Sequence, residues 1–100
     1  MNPTFSFSSE LVLWQAGQGT WVYATVPLDE SDVIKEIVPA RRGFGSVRVK
    51  VHLNDFEWRT SIFPMKEGTF FLPVKTEARK KGGVDIGDTV DIHIDLLIED

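Results

Sequence analysis

Basic side chains alternate with apolar ones in the middle of the sequence. Arg48 and Lys50 fall between Val47, Val49 and Val51, which places the two basic groups on one face of a predicted strand. Guanidinium and ammonium groups attract carboxylates and phosphates, and an arginine can hold either with two parallel hydrogen bonds. This pattern therefore indicates an anion-binding surface.

A predicted hairpin brings a third basic residue to the same face. Asn54-Asp55 is suited to a two-residue turn. If the flanking strands pair around it, Lys50 faces Arg59 and Arg48 faces Ser61. Directly opposed like charges destabilise a sheet. The Lys50 and Arg59 pair therefore predicts a nearby anion that compensates the repulsion.

Other basic and aromatic residues extend this candidate surface. Phe63 is included because it falls out of phase with the inward-facing residues, which predicts an exposed contact surface. The predicted ligand-binding residues are Arg48, Lys50, Arg59, Ser61, Phe63, Lys75 and Arg79, with Arg41 and Arg42 as further basic candidates. In the alternative interpretation, Glu57, Asp91 and Asp95 neutralise the basic stripe and leave a solvated face of mixed charge.

Histidine and aspartate residues near the end of the sequence form a second group. Asp91, His93 and Asp95 alternate with apolar residues, and His52 joins them if the two strands are neighbours. Their nitrogen and oxygen atoms are of the kind that zinc accepts. The same alternation is typical of any half-exposed strand, so we assign no metal and no cofactor.

No recognisable catalytic set is present in the sequence. It contains no cysteine, and neither histidine lies near a G-x-S-x-G nucleophile elbow. The glycines of GFG and GDT lack the spacing of a phosphate-binding loop. We therefore assign no catalytic residue, and a small enzyme with an unrecognised site remains an alternative.

Strand and helix signals predict a single all-β domain over residues 1–100. Strands are predicted over 4–14, 20–26, 46–53, 56–63, 69–72 and 89–98, with one short helix after Pro27 and another over 76–81. Val33, Ile34, Ile37 and Val38 would form the apolar stripe of the first helix. The order of strand, proline, helix, glycine turn and strand occurs twice, which indicates an internal pseudo-twofold repeat. Six strands favour a small closed or double-split barrel, because closure removes exposed edges.

Composition narrows the class of protein. The formal net charge is -4, so the overall field repels a nucleic-acid backbone, and nucleic-acid binding would need a local basic patch. The sequence lacks a run of about 20 apolar residues that would span a membrane. Together with the absence of cysteine, these features lead us to expect a cytoplasmic protein. The internal repeat, which places both units in one chain, leads us to expect a monomer.

Four sequence strings resemble a bacterial family called domain of unknown function 1905. They are GFGSVRV (Gly43–Val49), WRTSIFP (Trp58–Pro64), FFLPVK (Phe70–Lys75) and GDTV (Gly87–Val90). The resemblance covers almost the whole chain and implies a small β-barrel with no established activity. Residues 72–94 more loosely resemble the swapped-hairpin unit of AbrB-type regulators, which build a DNA-binding barrel from two chains.

These observations together favour a non-enzymatic binding module. We expect it to recognise an anionic small molecule or a protein segment through the basic stripe. A DNA-binding regulator of AbrB-like type is the first alternative, by analogy with the looser resemblance. An enzyme is the second.

Overall fold

A computed structural model of the chain describes residues 3–17, 19–38 and 45–98. The candidates Arg41 and Arg42 therefore lie outside the described residues. Within the described ranges the chain forms seven strands and two helices. Their bounds are β1 Thr4–Glu10, β2 Val12–Ala16, β3 Gly19–Val26, α1 Leu28–Ile37, β4 Val47–Leu53, β5 Phe56–Pro64, β6 Phe70–Pro73, α2 Thr76–Gly82 and β7 Thr89–Leu96.

The strands form one antiparallel sheet in the order β1-β7-β4-β5-β6-β3-β2. The sheet curls into a half-barrel. The prediction of a mainly β domain with two short helices is thus confirmed, and the prediction of a closed six-stranded barrel is wrong.

Leu11 lies at the point where the segment predicted as one strand over 4–14 is interrupted. Its side chain is fully buried, its amide donates to the carbonyl of Asp88 (2.9 Å), and its carbonyl accepts from the amide of Gly87 (2.8 Å). β1 pairs with β7 at one edge of the sheet, and β2 pairs with β3 at the other. No ladder joins β1 to β2 in the described part of the chain.

The β4–β5 hairpin has the register predicted from its turn. Asn54 adopts a positive φ of 53°, a conformation that asparagine tolerates better than most residues. Lys50 is paired with Arg59, and Arg48 with Ser61. The like-charge opposition expected from the sequence is therefore present in the structure.

Corresponding strands of the predicted repeat are neighbours in the sheet. The first unit is β3-α1-β4 and the second is β6-α2-β7. β3 is paired with β6, and β4 with β7, both antiparallel. Antiparallel pairing of corresponding strands is compatible with a twofold relation between the two units.

The core lies on the concave face of the curled sheet. Alternate residues of β4 and β7 are buried there, as the sequence predicted, although the last predicted inward residue, Ile98, is exposed. Helix α1 covers this core with only Ser31 and Ile34 buried, whereas Val33 and Ile37 are exposed. The predicted apolar stripe of α1 is therefore only partly used in packing. Neither described helix is long and apolar enough to cross a membrane.

Candidate functional site

Three of the predicted basic residues line depressions beside helix α2. β5 is paired with β6 only at Phe63 and Pro64, so the first part of β5 diverges from β6 and lies next to α2. Two adjoining depressions, of about 370 and 110 Å³, occupy this region. Lys75 lines both, Arg79 lines the larger and Arg59 lines the smaller. We call these two depressions together the basic cleft.

Local hydrogen bonds hold Arg79 at the larger depression. Its Nη1 donates to the carbonyl of Val74 (2.6 Å) and its Nη2 to the hydroxyl of Thr76 (3.2 Å). A guanidinium has five N–H donors, so these two bonds orient the group without using all of its donors. One carboxylate, Glu77, also lines both depressions. The basic cleft therefore contains three cations and one anion.

Aromatic side chains border the basic cleft. Trp21, which is 48% exposed, lines the larger depression, and Trp58 lines the smaller. Trp58 stacks on Phe56 with ring centroids 5.5 Å apart. Lys81 lies over the other ring of this pair, 5.4 Å from the centroid of Phe56. The cleft thus combines positive charge with flat apolar surfaces.

The other predicted residues do not join the basic cleft. Arg48, Lys50 and Ser61 lie on the outer face of the sheet, which Arg59 shares through its cross-strand pairing with Lys50. Phe63 is half-buried and stacks on Phe71 with centroids 5.4 Å apart, so it belongs to an aromatic cluster and lines neither depression. The structure therefore divides the predicted set among three places.

Carboxylates on neighbouring strands compensate the like-charge pair on the outer face. Lys50 lies between Arg59 on β5 and Asp95 on β7. Its ammonium nitrogen is 2.9 Å from Oε1 of Glu57. Two of the three carboxylates named in the alternative interpretation therefore lie next to the stripe, and Lys50 is held by the protein itself.

A row of polar side chains crosses four strands of the outer face. Ser6 on β1 faces His93 on β7, which faces His52 on β4, which faces Glu57 on β5. The sequence analysis made the approach of His52 to His93 conditional on their strands being neighbours, and this condition is met. Their rings make an edge contact, with centroids 5.2 Å apart.

Asp95 connects the two histidine rings. Its Oδ2 is 2.8 Å from Nε2 of His52, and its Oδ1 is 3.0 Å from Nε2 of His93. At the ends of the row, the hydroxyl of Ser6 is 2.8 Å from Nδ1 of His93, and Oε2 of Glu57 is 3.2 Å from Nδ1 of His52. We call Ser6, His52, Glu57, His93 and Asp95 the histidine network.

The hydrogen bonds of the histidine network favour ionised carboxylates. The hydrogen bond from His52 lowers the pKa of Asp95, and His93 adds to this effect. The hydrogen bond and positive charge of Lys50 lower the pKa of Glu57, with a smaller contribution from His52. Both shifts have the sign expected for a carboxylate beside a cationic donor.

The histidine network is not arranged like a hydrolase triad. In such a triad, Nε2 of the histidine contacts the serine and Nδ1 contacts the carboxylate. Here Nδ1 of His93 contacts Ser6, and Nε2 contacts Asp95. Ser6 also lies within an extended strand rather than on a strained turn. The geometry therefore does not indicate a serine nucleophile.

Sequence reasoning missed Ser6 because it lies far from the histidines along the chain. The only signal was the alternation of Phe5 and Phe7, which places Ser6 on the polar side of its strand. That pattern does not reveal that β1 pairs with β7. The choice of neighbouring strand, and hence the network, required the structure.

Comparison with known proteins gives a family and no activity. No curated protein matches the chain. The sequence model described as "Domain of unknown function (DUF1905)" matches residues 7–94. This range contains the residues that line the basic cleft and all of the histidine network except Ser6 and Asp95. The match covers most of the chain, as the four sequence strings led us to expect, and the chain therefore belongs to the DUF1905 family.

Proposed function

We propose that this domain is a non-enzymatic binding module that takes an anionic small molecule or an acidic protein segment into the basic cleft. The observation that carries the proposal is that Arg59, Lys75 and Arg79 line adjoining depressions. These residues come from β5, the β6–α2 connection and α2. A ligand that spans both depressions would lie beside all three basic residues.

The chemistry of the cleft favours a ligand with both charge and flat apolar surface. Arginine forks bind planar carboxylates and phosphates with two parallel hydrogen bonds. The exposed Trp21 and the half-buried Trp58 offer ring faces beside these cations. Glu77 disfavours a ligand with dense negative charge near it. A phosphorylated or carboxylated metabolite, or an acidic segment with an aromatic residue, fits this description.

The charge distribution gives less support to the DNA-binding alternative. A DNA-binding surface concentrates cations along a phosphate track. On the outer face, the Lys50 ammonium group pairs with Glu57, and Asp95 lies opposite Lys50 on the neighbouring strand. The formal net charge is -4. We keep duplex DNA as one arm of the test. The proposal also retains the sequence-based expectations of a monomer and a cytoplasmic location.

A thermal-shift screen tests the proposed function. The protein would be screened at low and moderate salt against phosphorylated metabolites, dicarboxylates, an acidic aromatic peptide and a short duplex DNA. A ligand at about a hundred times its dissociation constant should add about 2.7 kcal/mol of stability. We expect hits among the metabolites or the peptide. A response to DNA alone, or no response in any arm, would contradict the proposal.

A further inference from the structure

The two histidine rings present the same nitrogen to one carboxylate. Nε2 of His52 lies 2.8 Å from Oδ2 of Asp95, and Nε2 of His93 lies 3.0 Å from Oδ1. One ligand atom from each of the three residues can be chosen so that all three atoms lie within 4.8 Å of one another. The three side chains therefore form a compact set of nitrogen and oxygen donors on the neighbouring strands β4 and β7.

The opposite nitrogen of each ring also has a partner. Nδ1 of His93 contacts the hydroxyl of Ser6 (2.8 Å), and Nδ1 of His52 contacts the carboxylate of Glu57 (3.2 Å). Histidines that bind metals characteristically donate this second N–H to a carboxylate, a carbonyl or water, which fixes the ring and its tautomer. Glu57 provides such an acceptor directly, and the Ser6 hydroxyl can serve as one.

The hydrogen atoms of the network can be assigned in two ways. Without a metal, both Nε2 atoms must carry hydrogen to donate to Asp95. A neutral His52 ring would then direct the lone pair of Nδ1 at the Glu57 carboxylate, which places two hydrogen-bond acceptors against each other. With a metal at the Nε2 atoms, both rings carry hydrogen at Nδ1 and donate to Ser6 and Glu57. Neutral rings then satisfy every contact.

We propose that His52, His93 and Asp95 bind one divalent transition-metal ion, with Zn²⁺ as the occupant. Zinc takes histidine nitrogen and aspartate oxygen ligands in tetrahedral geometry at about 2.0–2.2 Å, which places ligand atoms roughly 3.3 Å apart. The two nitrogen-to-oxygen distances, 2.8 and 3.0 Å, end on the two different oxygens of Asp95 and are a few tenths of an ångström shorter than this value, so a small shift of the side chains would admit the ion. An open depression is lined by Ser8, Asp91 and both histidines, so water can reach the proposed site.

The proposed metal site is independent of the proposed function. The basic cleft lies beside α2, while the zinc ligands lie on β4 and β7. Metal binding and anion binding can therefore be measured separately. Failure of one proposal would leave the other intact.

Calorimetric titration of Zn²⁺ into tag-free, EDTA-treated protein tests the site. We expect one ion per chain, and we expect His52→Ala and His93→Ala each to weaken binding by more than about 100-fold, because each removes a direct ligand. Ser6→Ala should weaken binding by about 10-fold, because it removes only the partner of a ligand. Asp29→Asn is the matched control, because it removes an exposed aspartate on α1, outside the proposed site, and should change the affinity less than about twofold.

Two results would overturn the proposal. One is the absence of binding to the wild-type protein. The other is undiminished binding to the His52→Ala/His93→Ala double variant, which would mean that other surface groups capture the ion. Imidazole NMR signals of the wild-type protein provide a test that needs no variant. Stoichiometric Zn²⁺ should shift both rings together, and a shift of neither ring would equally contradict the assignment.

Discussion

Individual residues show how far the sequence predicts the chemistry of the outer face. The hairpin turn at Asn54 and the alternation around it predicted that Lys50 faces Arg59, and the register confirms this. The partner that compensates the charge of Lys50 is Glu57 on the next strand. The sequence analysis left open whether a bound anion or the protein's own carboxylates would do this. Local pattern fixes the face on which a side chain lies, but the rotamer that reaches a partner depends on the packed strands.

Ser31 is a residue whose role was not visible in the sequence. It lies in helix α1, and its side chain is fully buried. Its hydroxyl donates to the carbonyl of Val26 on β3 (3.0 Å) and accepts from the amide of Phe70 on β6 (3.1 Å). One hydroxyl thus connects the helix to two strands of the sheet.

We expect Ser31→Ala to lower the free energy of unfolding by about 1–3 kcal/mol, because it removes two buried hydrogen bonds. Urea denaturation followed by circular dichroism measures this change. Glu36→Ala, at an exposed position on the same helix, is the control and should change stability by less than about 0.5 kcal/mol. Equal effects of the two changes would show that the Ser31 hydroxyl does not connect these elements.

At the scale of elements, alternation and proline positions predicted most strands and both helices. The strands that follow clear alternation, β4 and β7, begin and end close to their predicted bounds. Helix α1 was placed correctly, yet its apolar stripe was not a guide to its packing, since Val33 and Ile37 are exposed. Hydrophobic periodicity identifies a helix, but the sheet it covers decides which apolar residues are buried.

The packing of α2 on β4 depends on a small residue at the end of the helix. Gly82 is buried, and a Cβ at this position would lie 2.9 Å from Cδ2 and 3.1 Å from Cγ of Leu53. Asn54 also donates to the carbonyl of Gly82. The hairpin turn and the helix end are therefore closely fitted to each other.

Gly82→Ala should destabilise the protein by about 1–3 kcal/mol, because the added methyl group overpacks this contact. The difference is measurable as a lower midpoint of thermal unfolding. Gly19→Ala is the matched control, since the nearest atom to its added Cβ is 3.7 Å away, an ordinary contact. If both variants unfolded at the same temperature, the tight contact with Leu53 would not limit stability.

For the whole molecule, the sequence predicted the class of fold but not its closure. Six strands with regular turns favoured a closed barrel, because closure is the simplest way to protect edges. The structure instead interrupts the first segment at Leu11 and uses its two halves at opposite edges of an open, curled sheet. Which strands pair across long separations is a property of the assembled sheet, so no local pattern specified it.

We expect Leu11→Ala to lower the free energy of unfolding by about 2–5 kcal/mol, because it leaves a cavity in place of a fully buried side chain between β1 and β2. Chemical denaturation measures the loss. Leu13→Ala, at an exposed position on β2, should cost less than about 1 kcal/mol. A larger loss at Leu13 than at Leu11 would contradict this account of the open sheet.

The central claim is that Arg59 and Lys75 form the basic cleft that binds an anionic ligand. It is tested most directly by titrating the wild-type, Arg59→Ala, Lys75→Ala and Lys66→Ala proteins with pyrophosphate and with an acidic aromatic peptide, using tryptophan fluorescence. Lys66 is the matched control because it is an exposed cation in a turn away from the cleft. We predict that at least one probe binds the wild-type protein and that each cleft variant weakens its binding by about 10-fold or more, since each removes a charge-assisted hydrogen bond, whereas Lys66→Ala changes it less than about twofold. Equal affinities across all four proteins, or binding of neither probe, would contradict the claim.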